Sequence, residues 1–306
     1  MRRRGRSGMV RRTVSAIMLL RPMVTMTTRI ARRTLLPLLA GLALPACAAL
    51  RPGALTEGAR DVAYGPHARQ RMDIYVPRGG GDGPKPVVFF IYGGSWANGT
   101  KETYSFVGDA LSARGFVTVI ADYRLVPEVR FPAFIEDGAL ALRVVRDTIA
   151  RFGGAPDKIH LMGHSAGAYN AMMLTLDRRY LAAVGLGAGD IRSTVGLSGP
   201  YDFLPFDIDV TKNAFGNARA PAQTQPVTFA RRDAPPIFLG TGSDDTTVLP
   251  RNSERLAQAL RQAGAGSVTL KIYPGLGHAG TAIALSRLLP WQAPVLDDVV
   301  TFLKAR

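Results

Sequence analysis

From residue 71 onward, apolar runs alternate with stretches of helical period. Residues 71–76 (RMDIYV) alternate apolar and polar and stop at Pro77, which predicts an edge strand. Residues 79–86 form a turn rich in Gly and Pro. Residues 87–92 (VVFFIY) are continuously apolar, as a strand covered on both faces must be. A helix is expected over 103–113, ending at Gly115, then a second covered strand over 116–121 (FVTVIA). Ala139, Ala141, Leu142, Val145 and Ile149 recur at near-helical spacing, which predicts a helix over 132–151. A strand over 158–162 and a helix over 165–176 follow. Later strands are expected at 194–198, 237–240 and 268–273, and helices at 252–263 and 295–304. Such alternation predicts an α/β fold with a mostly parallel sheet and helices on both faces. The interruption is 201–232, rich in Pro, Asp, Asn and Gln and lacking a period. It reads either as a small cap over the site or as a surface loop.

Composition changes this picture only at the N-terminus. The formal charge of +15 suggests a nucleic-acid partner until it is mapped. Residues 1–51 hold eleven Arg and no acid, so only +4 belongs to the rest of the chain. No nucleic-acid partner is therefore expected. The basic segment reads as an export signal: Arg29, Arg32 and Arg33 precede an apolar stretch, 34–43, too short to span a bilayer. Leu44-Pro45-Ala46-Cys47 resembles a bacterial lipobox with Pro in an unusual place, which makes Cys47 the expected lipidation site and sole membrane anchor. Plain cleavage near Cys47 is the alternative. Arg32-Arg33 also has a twin-arginine look. Met26 begins a signal of ordinary length, so residues 1–25 are expected to lie upstream of the native start. The reading is export segment 1–50 and catalytic domain 51–306, in the periplasm, tethered by lipid, or secreted. Cys47 is the only cysteine, so no internal disulfide can form.

The chemistry centres on Gly163-His164-Ser165-Ala166-Gly167, between a predicted strand and a predicted helix. The glycines permit a sharp turn that exposes the Ser165 hydroxyl, and the helix N-terminus favours developing negative charge. A serine on such a turn is followed in the chain by its acid and then its base. Of His67, His160, His164 and His278, only His278 comes after Ser165. After the 237–240 strand, Asp244 and Asp245 compete for the acid; the spacing Gly242-x-x-Asp245-x-x-Val248 favours Asp245. Oxyanion donors are expected from the backbone of Gly94 and Ser95, after the VVFFIY strand, and of Ala166. Trp96 is the substrate-contact candidate, and Phe131 and residues 201–232 are further candidates for shaping the pocket.

Taken together, from about residue 71 to the C-terminus, these segments resemble the α/β-hydrolase esterases of the hormone-sensitive-lipase-like and related carboxylesterase branches. Tyr92-Gly93-Gly94-Ser95-Trp96 is similar to their oxyanion segment, and Asp122 to Glu128 (DYRLVPE) to a second shared block. Residues 152–168 (FGGAPDKIHLMGHSAGA) match the nucleophile block, and Asp245 to Val248 and Gly277-His278 the acid and base loops. One position departs: Tyr92 stands where the family carries a supporting His. The resemblance implies an α/β-hydrolase fold and hydrolysis of a small-molecule ester with no metal or organic cofactor. Its rivals are an amidase, arylformamidase or acyltransferase on the same residues, and a catalytically silent envelope binding protein.

Overall fold

A computed structural model describes residues 58–78, 83–288 and 293–306. The export-segment expectations, Cys47 among them, lie outside the described residues. Eight strands make one sheet: β1 Ala59–Ala63, β2 Arg71–Tyr75, β3 Lys85–Ile91, β4 Val117–Ala121, β5 Gly154–His164, β6 Ser193–Leu197, β7 Ile237–Gly242 and β8 Val268–Tyr273. Their order is β1-β2-β4-β3-β5-β6-β7-β8. The β1–β2 and β2–β4 pairs are antiparallel, and the rest are parallel. The strand expected at an edge, β2, is thus interior. The edge is β1, whose half-exposed sequence ARDVA shows no apolar run. Pairing with β2 and the Arg60–Asp73 ion pair (2.8 Å) hold it.

The helices are α1 Ser105–Ser112, α2 Ala133–Thr148, α3 Ala166–Leu176, α4 Arg178–Ala183, α5 Asp209–Phe215, α6 Arg251–Gln262, α7 His278–Ile283 and α8 Val295–Lys304. Alternate residues of β7 show that both faces of the sheet are covered. Ile237 and Leu239 pack with Ala168, Met172, Leu256 and Leu260 of α3 and α6. Phe238, between them, meets Phe302 of α8, with ring centroids 5.5 Å apart. Every residue of α3 is buried, so this helix shows no polar face at all. By contrast, α6 buries Leu256, Ala257 and Leu260 and exposes charge on its far side. The aperiodic 201–232 stretch contains α5 and two single 3₁₀ turns, Pro221–Thr224 and Pro226–Phe229.

Parallel strands give the fold a functional end. The loops after β3, β5, β7 and β8 all leave from the carboxyl edge of the sheet, where open α/β folds place their ligands. Those four loops carry Gly94, Ser165, Asp245 and His278. No described helix is long and apolar enough to cross a membrane.

Candidate active site

Ser165 is the single residue between β5 and α3, at φ 54° and ψ −124°. A non-glycine residue at positive φ is strained and persists only when its surroundings hold it. Three contacts do so. The Ser165 N–H donates to Leu197 O of β6 at 2.8 Å. A Cβ on Gly163 would lie 2.3 Å from Gly167 O, so the turn closes only over a hydrogen. A Cβ on Gly167 would lie 2.0 Å from Ile91 O and 2.4 Å from Tyr92 O, so α3 starts in backbone contact with β3. The glycines of the pentapeptide are therefore required by close approach. Ala166, the first residue of α3, has an N–H with no partner inside the helix.

His278 opens α7 and reaches both neighbours. Its Nε2 lies 2.8 Å from Ser165 Oγ and its Nδ1 2.9 Å from Asp245 Oδ2. A carboxylate can only accept, so the proton sits on Nδ1 and the Nε2 lone pair faces the serine. Asp245 is buried, and its Oδ1 accepts from the N–H groups of Thr247 (3.0 Å) and Val248 (2.8 Å). Burial pushes this carboxyl up, but the His278 and Val248 hydrogen bonds outweigh it and hold it below the usual range. The competing Asp244 is exposed and takes only the Ser243 hydroxyl, at 2.6 Å.

The loop after β3 runs through three successive positive φ values: Gly94 at 136°, Ser95 at 57° and Trp96 at 56°. It is closed by Ala97 N and Asn98 N, which donate to Gly94 O at 3.0 and 2.9 Å. Ser95 and Ala166 line one cavity with Ser165. Tyr92, at the position of the family's His, braces the loop from behind. Its hydroxyl donates to Asp122 Oδ1 (2.7 Å) and accepts from Arg69 Nη2 (2.7 Å), and the same nitrogen donates to Gly99 O (2.8 Å). Burial pushes the Tyr92 phenol far up, so it keeps its proton.

The cavity at Ser165 has a volume of about 310 Å³. Trp96 forms part of its wall, fixed by an Nε1 bond to Asn170 Oδ1 (3.1 Å) and by edge contacts with Phe215 (4.7 Å) and Tyr169 (5.2 Å). Residues of the 201–232 stretch, including Phe203, Leu204, Ile208 and Val210, supply another wall. Phe131 does not reach this cavity. Its ring packs against that of Phe215 at a tilt, with centroids 5.7 Å apart, and faces a separate groove of about 410 Å³ with Tyr180 and Arg219. Any influence of Phe131 on the site passes through Phe215 and Phe134, both of which pack on Trp96. Among the described residues no three His, Cys, Asp or Glu side chains gather as a metal-ligand set.

Three further residues shape the site without any motif to mark them. Asn252 Oδ1 accepts from Tyr201 N and Asp202 N, both at 3.0 Å, and its Nδ2 donates to Leu249 O at 3.2 Å. It ties the start of the 201–232 stretch to the acid loop. Tyr104 and His164 meet beneath His278: Tyr104 Oη is 3.1 Å from His164 Nδ1, and His164 Nε2 is 3.1 Å from His278 O. Only the position of His164 beside Ser165 was a sequence signal for any of them.

The BD-FAE family model matches residues 72–260. A probable isoprenylcysteine alpha-carbonyl methylesterase ICME of Oryza sativa subsp. japonica is 30% identical over 267 residues, covering 80% of this chain and 64% of that protein. Esterase LipC of Mycobacterium tuberculosis is 28% identical over 252 residues, covering 76% and 62%. The chain spans between half and two thirds of the length of such relatives. Among solved structures, a truncated carbohydrate esterase from gut microbiota superimposes with TM-score 0.72 at 22% identity, covering 82% of this chain and 96% of that one. Thermogutta terrifontis esterase 2 superimposes at 0.67 with 21% identity, covering 84% and 93%. These two likenesses establish the shared α/β-hydrolase fold. Since the family match runs from within β2 to within α6, over more than half of the chain, this protein belongs to the BD-FAE family.

Proposed function

We propose that this protein is a serine carboxylesterase acting on small-molecule esters. The observation that carries the reading is the unbroken line from Asp245 to His278 (2.9 Å) and on to Ser165 (2.8 Å), ending in a cavity. The Ser165 hydroxyl attacks the ester carbonyl carbon while His278 Nε2 takes its proton. The carbonyl oxygen becomes an oxyanion, met by the N–H groups of Gly94, Ser95 and Ala166. Collapse of this intermediate breaks the ester C–O bond, and the imidazolium gives its proton to the departing alcohol. Water, deprotonated by His278, then attacks the acyl-serine and releases the acid. Asp245 keeps the proton on Nδ1 and stabilises the imidazolium. Nothing in this cycle calls on a metal or organic cofactor. Residues 201–232 act as the cap that shapes the acyl or alcohol site. The names of the esterase relatives support the reaction class.

The decisive experiment combines a fluorophosphonate probe with a matched ester and amide panel. Wild type should be labelled at Ser165 and turn over short esters, and Ser165→Ala should lose both. An unlabelled wild type, or faster cleavage of the amides, defeats the reading. The proposal also places the enzyme outside the cytoplasm on a lipid tether at Cys47, supported by Arg29, Arg32, Arg33 and the apolar residues 34–43. Radiolabelled palmitate should enter the wild type and not Cys47→Ala; equal labelling of the two excludes the tether.

A further inference from the structure

His164 is an imidazole that the proposed cycle leaves unused, yet it adjoins Ser165 and packs against both His278 and Gly93. It is buried. Its ring centroid lies 5.1 Å from that of His278. Its Nε2 meets a backbone carbonyl, His278 O, at 3.1 Å. A carbonyl only accepts, so Nε2 carries the proton and Nδ1 is bare. Nδ1 then accepts the Tyr104 hydroxyl, also at 3.1 Å. The Gly93 N–H in turn approaches the Tyr104 oxygen and partly offsets the upward push of burial on that phenol. Gly93 itself sits so tightly here that a Cβ would lie 2.8 Å from Ser165 Cβ and 3.1 Å from His164 Nδ1. Burial pushes the His164 imidazole down to about 4, so it is neutral across the working range of an esterase.

Two features mark this as more than filling. The chain of donors has one polarity, from the Tyr104 hydroxyl through His164 to His278 O, so one tautomer satisfies both bonds, and Gly93 packs directly against His164 Nδ1. The cluster also joins the two segments whose spacing matters most to acyl transfer: the loop that carries the oxyanion donors, through the packing of Gly93, and the first residue of α7, which is the base. We propose that Tyr104 and His164 are positioning residues that couple the oxyanion loop to His278, holding the base at reach of Ser165 through its backbone carbonyl. This rests on the serine-esterase reading. Tyr104 enforces the tautomer: without its hydroxyl, His164 can move its proton to Nδ1 and lose the bond to His278 O.

The test measures the second-order rate of Ser165 labelling by a fluorophosphonate, with kcat, KM and thermal midpoint, for His164→Leu, His164→Gln, Tyr104→Phe and the Tyr104→Phe/His164→Leu double variant. His164→Leu should lower the labelling rate and kcat about tenfold, the scale of one misplaced neutral hydrogen bond, with KM within about twofold. Gln can place an N–H near the position of Nε2, so His164→Gln should recover most of the loss. Tyr104→Phe should lose a few-fold alone and almost nothing more in the His164→Leu background. A space-filling His164 gives another result: wild-type rates in His164→Leu, or no rescue by Gln in folded variants, and either overturns the proposal. Imidazole ¹⁵N spectra of wild type read the tautomer even if the leucine variant fails to fold. The neutral Nε2–H form should persist from about pH 5 to 8; an Nδ1–H form overturns the proposal. A wild type that is not labelled at all refutes the esterase reading and this inference with it.

Discussion

Gly167→Ala sets two physical effects against each other with opposite sign. In a helix, replacing Gly by Ala ordinarily stabilises by about 0.5–1 kcal/mol. At position 167 the new Cβ would sit 2.0 Å from Ile91 O and 2.4 Å from Tyr92 O, whereas real Cβ atoms keep at least 3.0 Å. The start of α3 must therefore withdraw from β3 by about 1 Å, and neither blocking atom is a side chain that could turn aside. Overpacking of this kind costs about 1–3 kcal/mol, which outweighs the propensity gain. For a domain of this size the net loss, up to about 2.5 kcal/mol, is a fall of up to roughly 5–10 °C in Tm. The same withdrawal moves Ser165 from the loop that begins after Tyr92, and a displacement of ~1 Å costs about 100-fold in rate. Gly138→Ala in α2 is the control, because the nearest atom there is a mobile Leu174 methyl at 3.0 Å. Calorimetry and kcat/KM on both variants give the answer. If Gly167→Ala is as stable and active as the control, the tight contact between elbow and strand is wrong, and close approach does not explain the second glycine of the pentapeptide.

Asp245→Asn should lower kcat by about 10³–10⁴-fold by releasing the His278 tautomer, while Asp244→Asn stays within twofold; steady-state kinetics with one ester separates them. Urea titrations should show stability falling as pH drops from about 6.5 to 4. Burial holds both His160 and His164 down at about 4. The unfolded chain therefore binds protons in that window before the folded one does, a loss of at most roughly 3 kcal/mol per residue; a flat profile contradicts the burial. Asp109 on α1 is buried, neither of its oxygens has a described hydrogen-bond partner, and burial pushes it up to about 6 against the pull of Arg60 and Arg287. Its favourable contribution is present at low pH and lost as pH rises to about 6, so Asp109→Leu should raise the urea midpoint more at pH 8 than at pH 5. An equal or negative change at both would show that the carboxylate has a partner.

What could be read in advance follows from what leaves a local trace. Strands β3 and β4 announce themselves because burial on both faces demands near-continuous apolar runs, broken in β4 only by Thr118. Ser165 and His278 were legible through a pentapeptide in context and through elimination, since no other histidine follows the serine. Strand β1 was invisible because it is held mainly by backbone pairing and the Arg60–Asp73 and Asp61–Lys101 ion pairs, with no apolar run to mark it. For the same reason β2 was misplaced at the edge. Helix α7 hid inside a Gly-rich stretch that reads as loop. Between Asp244 and Asp245 the spacing Gly242-x-x-Asp245-x-x-Val248 favours Asp245, and that is the carboxylate that meets His278 Nδ1, at 2.9 Å. Tyr104 and His164 are 60 residues apart and meet only through sheet topology. Phe131 was close enough to the aromatic cluster to be a fair candidate, but the bulk of Phe215 separates it from the cavity.

The spread of the site along the chain also has a meaning in time. His278 lies 113 residues after Ser165 and, with Asp245, enters the fold on the last two strands. At ~5–20 residues per second of synthesis, the serine emerges about 6–20 s before its base. Even then β7 is not fully covered until Phe302 of α8 lies against Phe238. On the proposed mechanism the nascent polypeptide thus passes through an interval in which Ser165 is made but has no base to take its proton. On that mechanism, a polypeptide ordered this way has no complete site until His278 has been added.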